Sequence, residues 1–145
     1  MQEMEIKLRG RGLVRGIVEG EALVSSQPIS FLGGVDPATG IIKERGHELE
    51  GYTVTDKVLV FPHSKGSTVS SYVLFSMARR GTKPLGIVNT VSDPIVAAGC
   101  VLGNIPLLDK LEIDPTKAII TGDYLTLNAT EGFLVIRRSQ ISNVW

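Results

Sequence analysis

At 145 residues the chain has the size of one compact domain, and 43% hydrophobic with 21% charged residues is the composition of a molecule with a core, not of a disordered one. Lys plus Arg and Asp plus Glu are both 15, so the basic excess of a nucleic-acid binder is missing. Cys100 is the single cysteine; it excludes an internal disulfide and cannot by itself ligate zinc or an iron–sulfur cluster.

Residues 1–11 mix charges with apolar side chains and hold no apolar run of signal-peptide length, and no later run reaches membrane-spanning length. A soluble cytoplasmic protein is expected, with 1–145 as one domain and 1–11 and 137–145 as partly flexible ends. Leu13 to Ser26 alternates β-branched and polar residues around Gly16 and Gly20, which predicts two short strands or one bulged strand. Phe31 to Ile42, FLGGVDPATGII, carries Gly33-Gly34 and Asp36-Pro37-Ala38-Thr39-Gly40, the chemistry of an ordered loop with compact turns.

The middle has a regular rhythm. Val58 to Phe61 reads as a buried strand stopped by Pro62, and His63 to Ser67 as a short polar loop. Thr68 to Arg80 places Val69, Tyr72, Val73 and Met77 at helical spacing, with Gly81 just beyond Arg79 and Arg80 as its stop. Leu85 to Val88 is a second strand. Ser92-Asp93-Pro94 pairs an N-cap with proline at the first helical position, opening a helix that ends near Gly103. Ile105 to Leu108 is a third strand. This order predicts three parallel strands covered by helices. Beyond them, Ala118 to Thr121 and Tyr124 to Asn128 read as strands, and Thr130-Glu131-Gly132 as a hairpin turn into Phe133 to Ile136. The fold class is therefore α/β, a barrel-like β-rich part joined to a three-strand parallel β-α-β-α-β unit.

Chemistry concentrates in Val60 to Tyr72, VFPHSKGSTVSSY. A parallel strand delivers this segment to the carboxyl edge of the sheet, where α/β folds bind ligands. Gly66 permits a sharp turn or a close ligand approach. Ser67 and Thr68 fall where a helix begins, and the unpaired N–H groups there favour carboxylate or phosphate. Serine and threonine at a helix start are also ordinary caps, but Ser64, Ser67, Thr68, Ser70 and Ser71 are more hydroxyls than capping requires. Lys65 precedes Gly66 and no glycine lies five residues earlier, so this is not a Walker loop; GxGxxG is absent at this junction too. Gly66, Thr68, Lys65 and Ser70, around Ser67, are the candidate substrate-binding residues. Gly33, Gly34, Asp36 and Thr39 form an expected site loop, in which the Asp36 side chain serves an Asx turn. No residue is expected to ligate metal. His47 and His63 are assigned no role, and Cys100 reads as a core thiol.

Phe31-Leu32-Gly33-Gly34-Val35-Asp36, Thr39-Gly40, Gly66-Ser67-Thr68 with Ser70-Ser71, and the closing Gly122-Asp123 and Gly132 resemble, in order and spacing, the small subunit of the aconitase-X family. The likeness runs from about Gly12 to Ile136. It implies a swivelling β/β/α domain that closes over a large subunit carrying an iron–sulfur cluster, of [4Fe-4S] type, in a heterodimer. It implies a hydro-lyase acting on a small hydroxy acid, with Ser67 as proton acceptor. Archaeal two-subunit members convert mevalonate 5-phosphate to trans-anhydromevalonate 5-phosphate in a modified mevalonate route to isoprenoids; others resemble cis-3-hydroxy-L-proline dehydratase.

A serine is a weak base in water and needs local positive potential and exclusion of solvent. Aconitase and isopropylmalate dehydratase resemble each other in an arginine shortly after the serine motif, whereas here Thr68, Val69 and Ser70 follow Ser67. The positive group must come from Arg11, Arg15, Lys65, Arg45 or the large subunit. Two readings of other classes remain. A phosphohistidine-type swivelling carrier needs a histidine on the first helical turn, and Ser67 to Tyr72 has none. A stand-alone interaction domain would tolerate loss of Ser67.

Overall fold

The structure is a computed structural model and describes residues 2–140. In chain order its elements are β1 (Gln2–Arg9), β2 (Arg11–Val14), β3 (Ile17–Val24), β4 (Val58–Phe61), α1 (Ser70–Arg80), β5 (Gly86–Asn89), α2 (Pro94–Gly103), β6 (Leu107–Asp109), α3 (Pro115–Ala118), β7 (Tyr124–Asn128) and β8 (Phe133–Gln140).

Met4, Ile6 and Leu8 alternate with Glu3, Glu5, Lys7 and Arg9, the period-2 pattern of a strand with one face inward. β1 accordingly pairs antiparallel with β8, from Gln2↔Gln140 to Arg9↔Phe133. This corrects the expectation of loose ends at 1–11 and from Arg137 onward: residues 2–9 and 137–140 are paired strand. The remainder of that expectation, residues 141–145 with Trp145, lies outside the described residues.

The strand order is β1-β8-β7-β3-β4-β5-β6-β2. Only Gly10 separates β1 from β2, so the two edges of the sheet are consecutive pieces of one segment, and the sheet closes as a barrel-like ring. β3 turns the other corner: Ile17 to Glu21 pair antiparallel with β7, and Ala22 to Val24 pair parallel with β4. Four strands are thus parallel, β3 to β6, where the sequence predicted three. Residues 118–121 are not the expected strand. Asp114 caps Thr116 and Pro115 opens α3, which converts the start of that run to a helical turn.

The parallel strands are buried on both faces, which is why they read as apolar runs and not as alternations. Val58, Val60, Val88 and Leu108 point into the ring with Leu125, Leu127, Leu134 and Ile136. Leu59, Phe61, Ile87 and Leu107 point to the other side, under Leu74, Met77, Val96 and Cys100 of the helices and Ile29, Phe31 and Ile42 of the long β3–β4 connection. Each such side chain contributes about 1.5–3 kcal/mol by leaving water.

α1 begins two residues later than predicted, and its inward stripe is Ser70, Ser71, Leu74 and Met77. Val69 and Tyr72, expected as apolar anchors, stay 48% and 64% exposed. The helix is rotated because α2 crosses it closely. A Cβ at Gly99 would lie 2.5 Å from Leu74 Cδ1 and 3.2 Å from the Ser71 Cα, so a bare glycine and small serines meet at the crossing. Gly81 stops the helix in the left-handed region, φ 77°, as its sequence position implies.

Candidate functional site

β4, β5 and β6 run parallel, and their carboxyl ends lie on one edge of the sheet. The β4–α1 loop, residues 62–69, leaves that edge at Pro62. Its first half is bound from two sides. Ser64 is gripped by Asp93 through its N–H at 2.7 Å and its hydroxyl at 2.9 Å. On the other flank the Lys65 N–H donates to the Ile29 carbonyl at 3.1 Å. Gly66 then takes φ 94°, where a Cβ would stand 2.9 Å from Ser30 Oγ. That turn needs glycine for its backbone sign, and a Cβ there would also displace the Ser30 hydroxyl.

Ser67 follows, partly exposed, at the head of α1. Its Oγ accepts the Val69 N–H at 3.1 Å and its carbonyl accepts the Ser70 N–H at 3.1 Å. The first turn of α1 reads Ser70-Ser71-Tyr72-Val73 and carries no carboxylate. Val69, at the N-cap position, supplies no side-chain cap, and the Ser67 hydroxyl is what meets this end, through the Val69 N–H. α2 differs. The Asp93 carboxylate sits on its N-terminus, accepting from Ile95 and Val96, both at 3.0 Å. Of the helix starts that follow the parallel strands, those of α2 and α3 are answered by the carboxylates of Asp93 and Asp114, whereas the first turn of α1 has none. An oxygen at the Ser67 position is stabilised when it carries negative charge, because it already accepts a helix N-terminal N–H.

The other predicted residues divide. Gly66, Thr68 and Lys65 are exposed beside Ser67, and Lys65 Nζ leans 2.8 Å from Glu44 Oε2, an exposed pair of small energetic weight. Ser70 is wholly buried, and its hydroxyl accepts the Leu32 N–H at 3.2 Å, so it joins two segments instead of facing the surface. That bond brings the Leu32-Gly33-Gly34 end of the FLGGVD loop to the head of α1. The far end of the loop goes elsewhere. Asp36 forms its Asx turn, accepting from the Ala38 N–H at 3.0 Å and the Thr39 hydroxyl at 3.1 Å, and these bonds hold its carboxyl below the usual range. The neighbouring Pro37 carbonyl accepts from Thr82 Oγ1 at 2.7 Å, past the C-terminus of α1. The loop spans the length of an 11-residue helix, about 16 Å. Asp36 and Thr39 therefore belong to the opposite end of α1 from Ser67, which corrects the expectation of one loop near the site.

The candidate cations also sort by position. Arg11 lies opposite Asp109 on the carboxyl edge, three strand spacings or about 14 Å from β4. Its Nε and Nη2 hold the buried Asp109 carboxylate at 2.9 Å each. Arg15 lines a groove with Lys83, Leu85 and Pro106, at the amino ends of β5 and β6, and is removed from consideration. Arg45 is exposed next to Glu44, the partner of Lys65. Sequence reasoning missed Ser30, whose hydroxyl flanks Gly66, and read Asp93 as a cap alone. Nothing local marks Ser30, and the grip of Asp93 on Ser64 spans 29 residues.

Cys100 is fully buried in the helix-side core, and burial pushes its thiol well above the ordinary range. Among the described residues no three His, Cys, Asp or Glu side chains are grouped to hold a metal ion, and no helix is long and apolar enough to cross a membrane. The residues of this chain do not fit an iron–sulfur cluster.

A ring-closed β/α domain that presents a serine at a helix start free of carboxylates, at the carboxyl edge of its parallel strands, has the architecture of a swivelling domain of the aconitase type. The chain belongs to the aconitase X swivel domain family, which matches residues 7–136. It is 47% identical over 139 residues to the phosphomevalonate dehydratase small subunit of Methanosarcina acetivorans, covering 96% of each chain. It is 54% identical over 110 residues to the protein of the same name from Methanopyrus kandleri, covering 76% of this chain and 82% of the other. Its fold is similar to the crystal structure of Thermococcus kodakaraensis aconitase X in its holo form, with TM-score 0.86, 39% identity, and coverage of 90% of this chain and 98% of that one.

Proposed function

We propose that this chain is the small subunit of a cytoplasmic two-subunit hydro-lyase that dehydrates (R)-5-phosphomevalonate to trans-anhydromevalonate 5-phosphate, with Ser67 as proton acceptor. The substrate follows from the relatives named above, and their description as small subunits supplies the large-subunit partner. The carrying observation is the Ser67 oxygen, which accepts a helix N-terminal N–H at a helix start with no carboxylate of its own.

In the elimination, a C–H bond beside the carboxylate breaks, its electrons form the new C=C bond, and the C–O bond breaks with its pair on oxygen, so that the departing hydroxide takes up a proton and leaves as water. This chain's part is the first of these events. Ser67, deprotonated, receives the proton on Oγ, and the Val69 N–H with the α1 dipole lowers the energy of the anionic form. Gly66 and Thr68 expose backbone and hydroxyl next to it for the substrate's anionic groups. The iron–sulfur cluster belongs, in this reading, to the large subunit. Leu32, Val69 and Tyr72 stay exposed beside the serine, at 45%, 48% and 64%, and a closing partner would cover them and dry the site.

The test is anaerobic reconstitution with the large subunit and a dehydration assay on 5-phosphomevalonate and cis-3-hydroxy-L-proline. Turnover of the first supports the reading. Turnover of the second alone replaces the substrate and keeps the role of Ser67. Metal-free activity of this chain by itself would contradict the division of labour.

A further inference from the structure

Asp93 does more than cap α2. Its Oδ1 accepts the Ile95 and Val96 N–H groups at 3.0 Å each and the Ser64 hydroxyl at 2.9 Å. Its Oδ2 accepts the Ser64 N–H at 2.7 Å. Capping occupies Oδ1, whereas the Oδ2 bond serves a different loop, three residues before Ser67. Burial opposes the charge, yet the Ser64 and helix N–H bonds outweigh it and hold the carboxyl below its ordinary value, so the grip persists at neutral pH.

The same β5–α2 connection holds the β4–α1 loop at a second point, where the Thr90 N–H donates to the Pro62 carbonyl at 3.1 Å, and the two strand ends just before them are joined as well. Asn89, fully buried at the end of β5, donates Nδ2 to the Phe61 carbonyl at 3.0 Å. Positions 61 and 64 are thus fastened from one neighbour, and Lys65 from another through Ile29. Beyond these anchors the chain has one left-handed turn at Gly66 before it delivers Ser67. The placement of Ser67 over the head of α1 therefore depends on these anchors, residue 64 among them, and on the Gly66 turn.

We infer that Asp93 is a positioning residue for Ser67, acting through Ser64 and without touching substrate. The inference rests on the proposed role of Ser67. Asp93→Asn separates the two tasks: an asparagine keeps Oδ1, and with it the α2 cap, but turns an amide donor toward the Ser64 N–H. In the reconstituted complex, kcat on 5-phosphomevalonate falls tenfold or more while KM stays within about twofold, since a displacement near 1 Å costs about 100-fold. Deuterium exchange rises about tenfold in residues 62–69 and is unchanged in 95–103, because only the loop loses an anchor. With Ser67→Ala already present, Asp93→Asn changes the residual rate less than about twofold, the non-additivity of residues that act as one unit. Ser64→Ala, which leaves the cap untouched, gives a smaller loss of kcat and serves if Asp93→Asn does not fold.

Unchanged kcat and exchange in Asp93→Asn would overturn the inference. So would a loss of equal size in the Ser67→Ala background, or exchange that rises through α2. If the wild-type complex dehydrates neither substrate, the proposed function fails instead, and exchange at 62–69 alone decides the anchoring.

Discussion

Ser70, fully buried at the first residue of α1, accepts the backbone N–H of Leu32 at 3.2 Å across 38 residues of sequence. One hydrogen bond therefore ties the loop that carries Gly33 and Gly34 to the helix that Ser67 precedes. Ser70→Ala removes it and lowers stability by about 1 kcal/mol, the usual worth of one such bond. KM should stay within about twofold. A tenfold rise in KM with unchanged thermal stability would return Ser70 to the substrate-binding set.

Ser67→Ala tests the proposed base. The variant loses a partly exposed hydroxyl whose one bond is local, to the Val69 N–H, so folding and assembly should be unaltered. Turnover should fall about 100- to 10,000-fold, the range for removing a general base. Single-turnover kinetics on the reconstituted complex separate that loss from binding, and near wild-type turnover would end the assignment.

Local chemistry is legible in this sequence, and non-local placement is not. Pro62 after β4, Gly81 after α1 and Asp93-Pro94 before α2 each declare themselves by a backbone constraint within two or three residues. Asp114-Pro115 repeats the Asp93-Pro94 signature, yet only four helical residues follow, too few to show a period. The alternation Met4, Ile6, Leu8 was available as a strand signal; what conceals it is that its partner β8 lies at the other end of the chain. The fourth parallel strand is hidden because β3 changes partners midway and the crossover to β4 is a long connection without a helix. The Asx turn of Asp36 is readable from Asp-Pro-Ala-Thr-Gly, but its seat beyond the far end of α1 depends on Thr82, 45 residues from Pro37.

The ring has an acid-sensitive joint. Asp123, 4% exposed, accepts from Arg138 Nε at 2.8 Å, from its Nη2 at 2.7 Å and from the Ile120 N–H at 2.8 Å. Burial alone would raise its carboxyl, and the Arg138 and Ile120 bonds outweigh that and hold it below the ordinary 3.8. A depressed folded value means the stabilisation is complete above the unfolded value and is lost as pH falls through the folded one. Asp123→Asn should cost about 2 kcal/mol at pH 7, since bonds to a charged group are lost. The gap in melting temperature between wild type and variant should hold from pH 7 to about 5 and close below about pH 4. A gap independent of pH would mean that the charge on Asp123 contributes nothing.

Cys100 separates a small subunit that borrows its cluster from one that holds it. The thiolate is the form that ligates iron, and complete burial between apolar neighbours makes that form costly. The native chain should leave a thiol reagent such as DTNB unreacted and release one thiol per chain on unfolding. Purified alone under anaerobic reconstitution, it should carry no iron. Cys100→Ala opens a small cavity in the helix-side core and should lower stability by about 1 kcal/mol. In the reconstituted complex it should leave iron content and the cluster's absorption unchanged. Iron bound to the isolated wild-type chain and absent from Cys100→Ala would move a cluster ligand into this subunit and require the core around α2 to open.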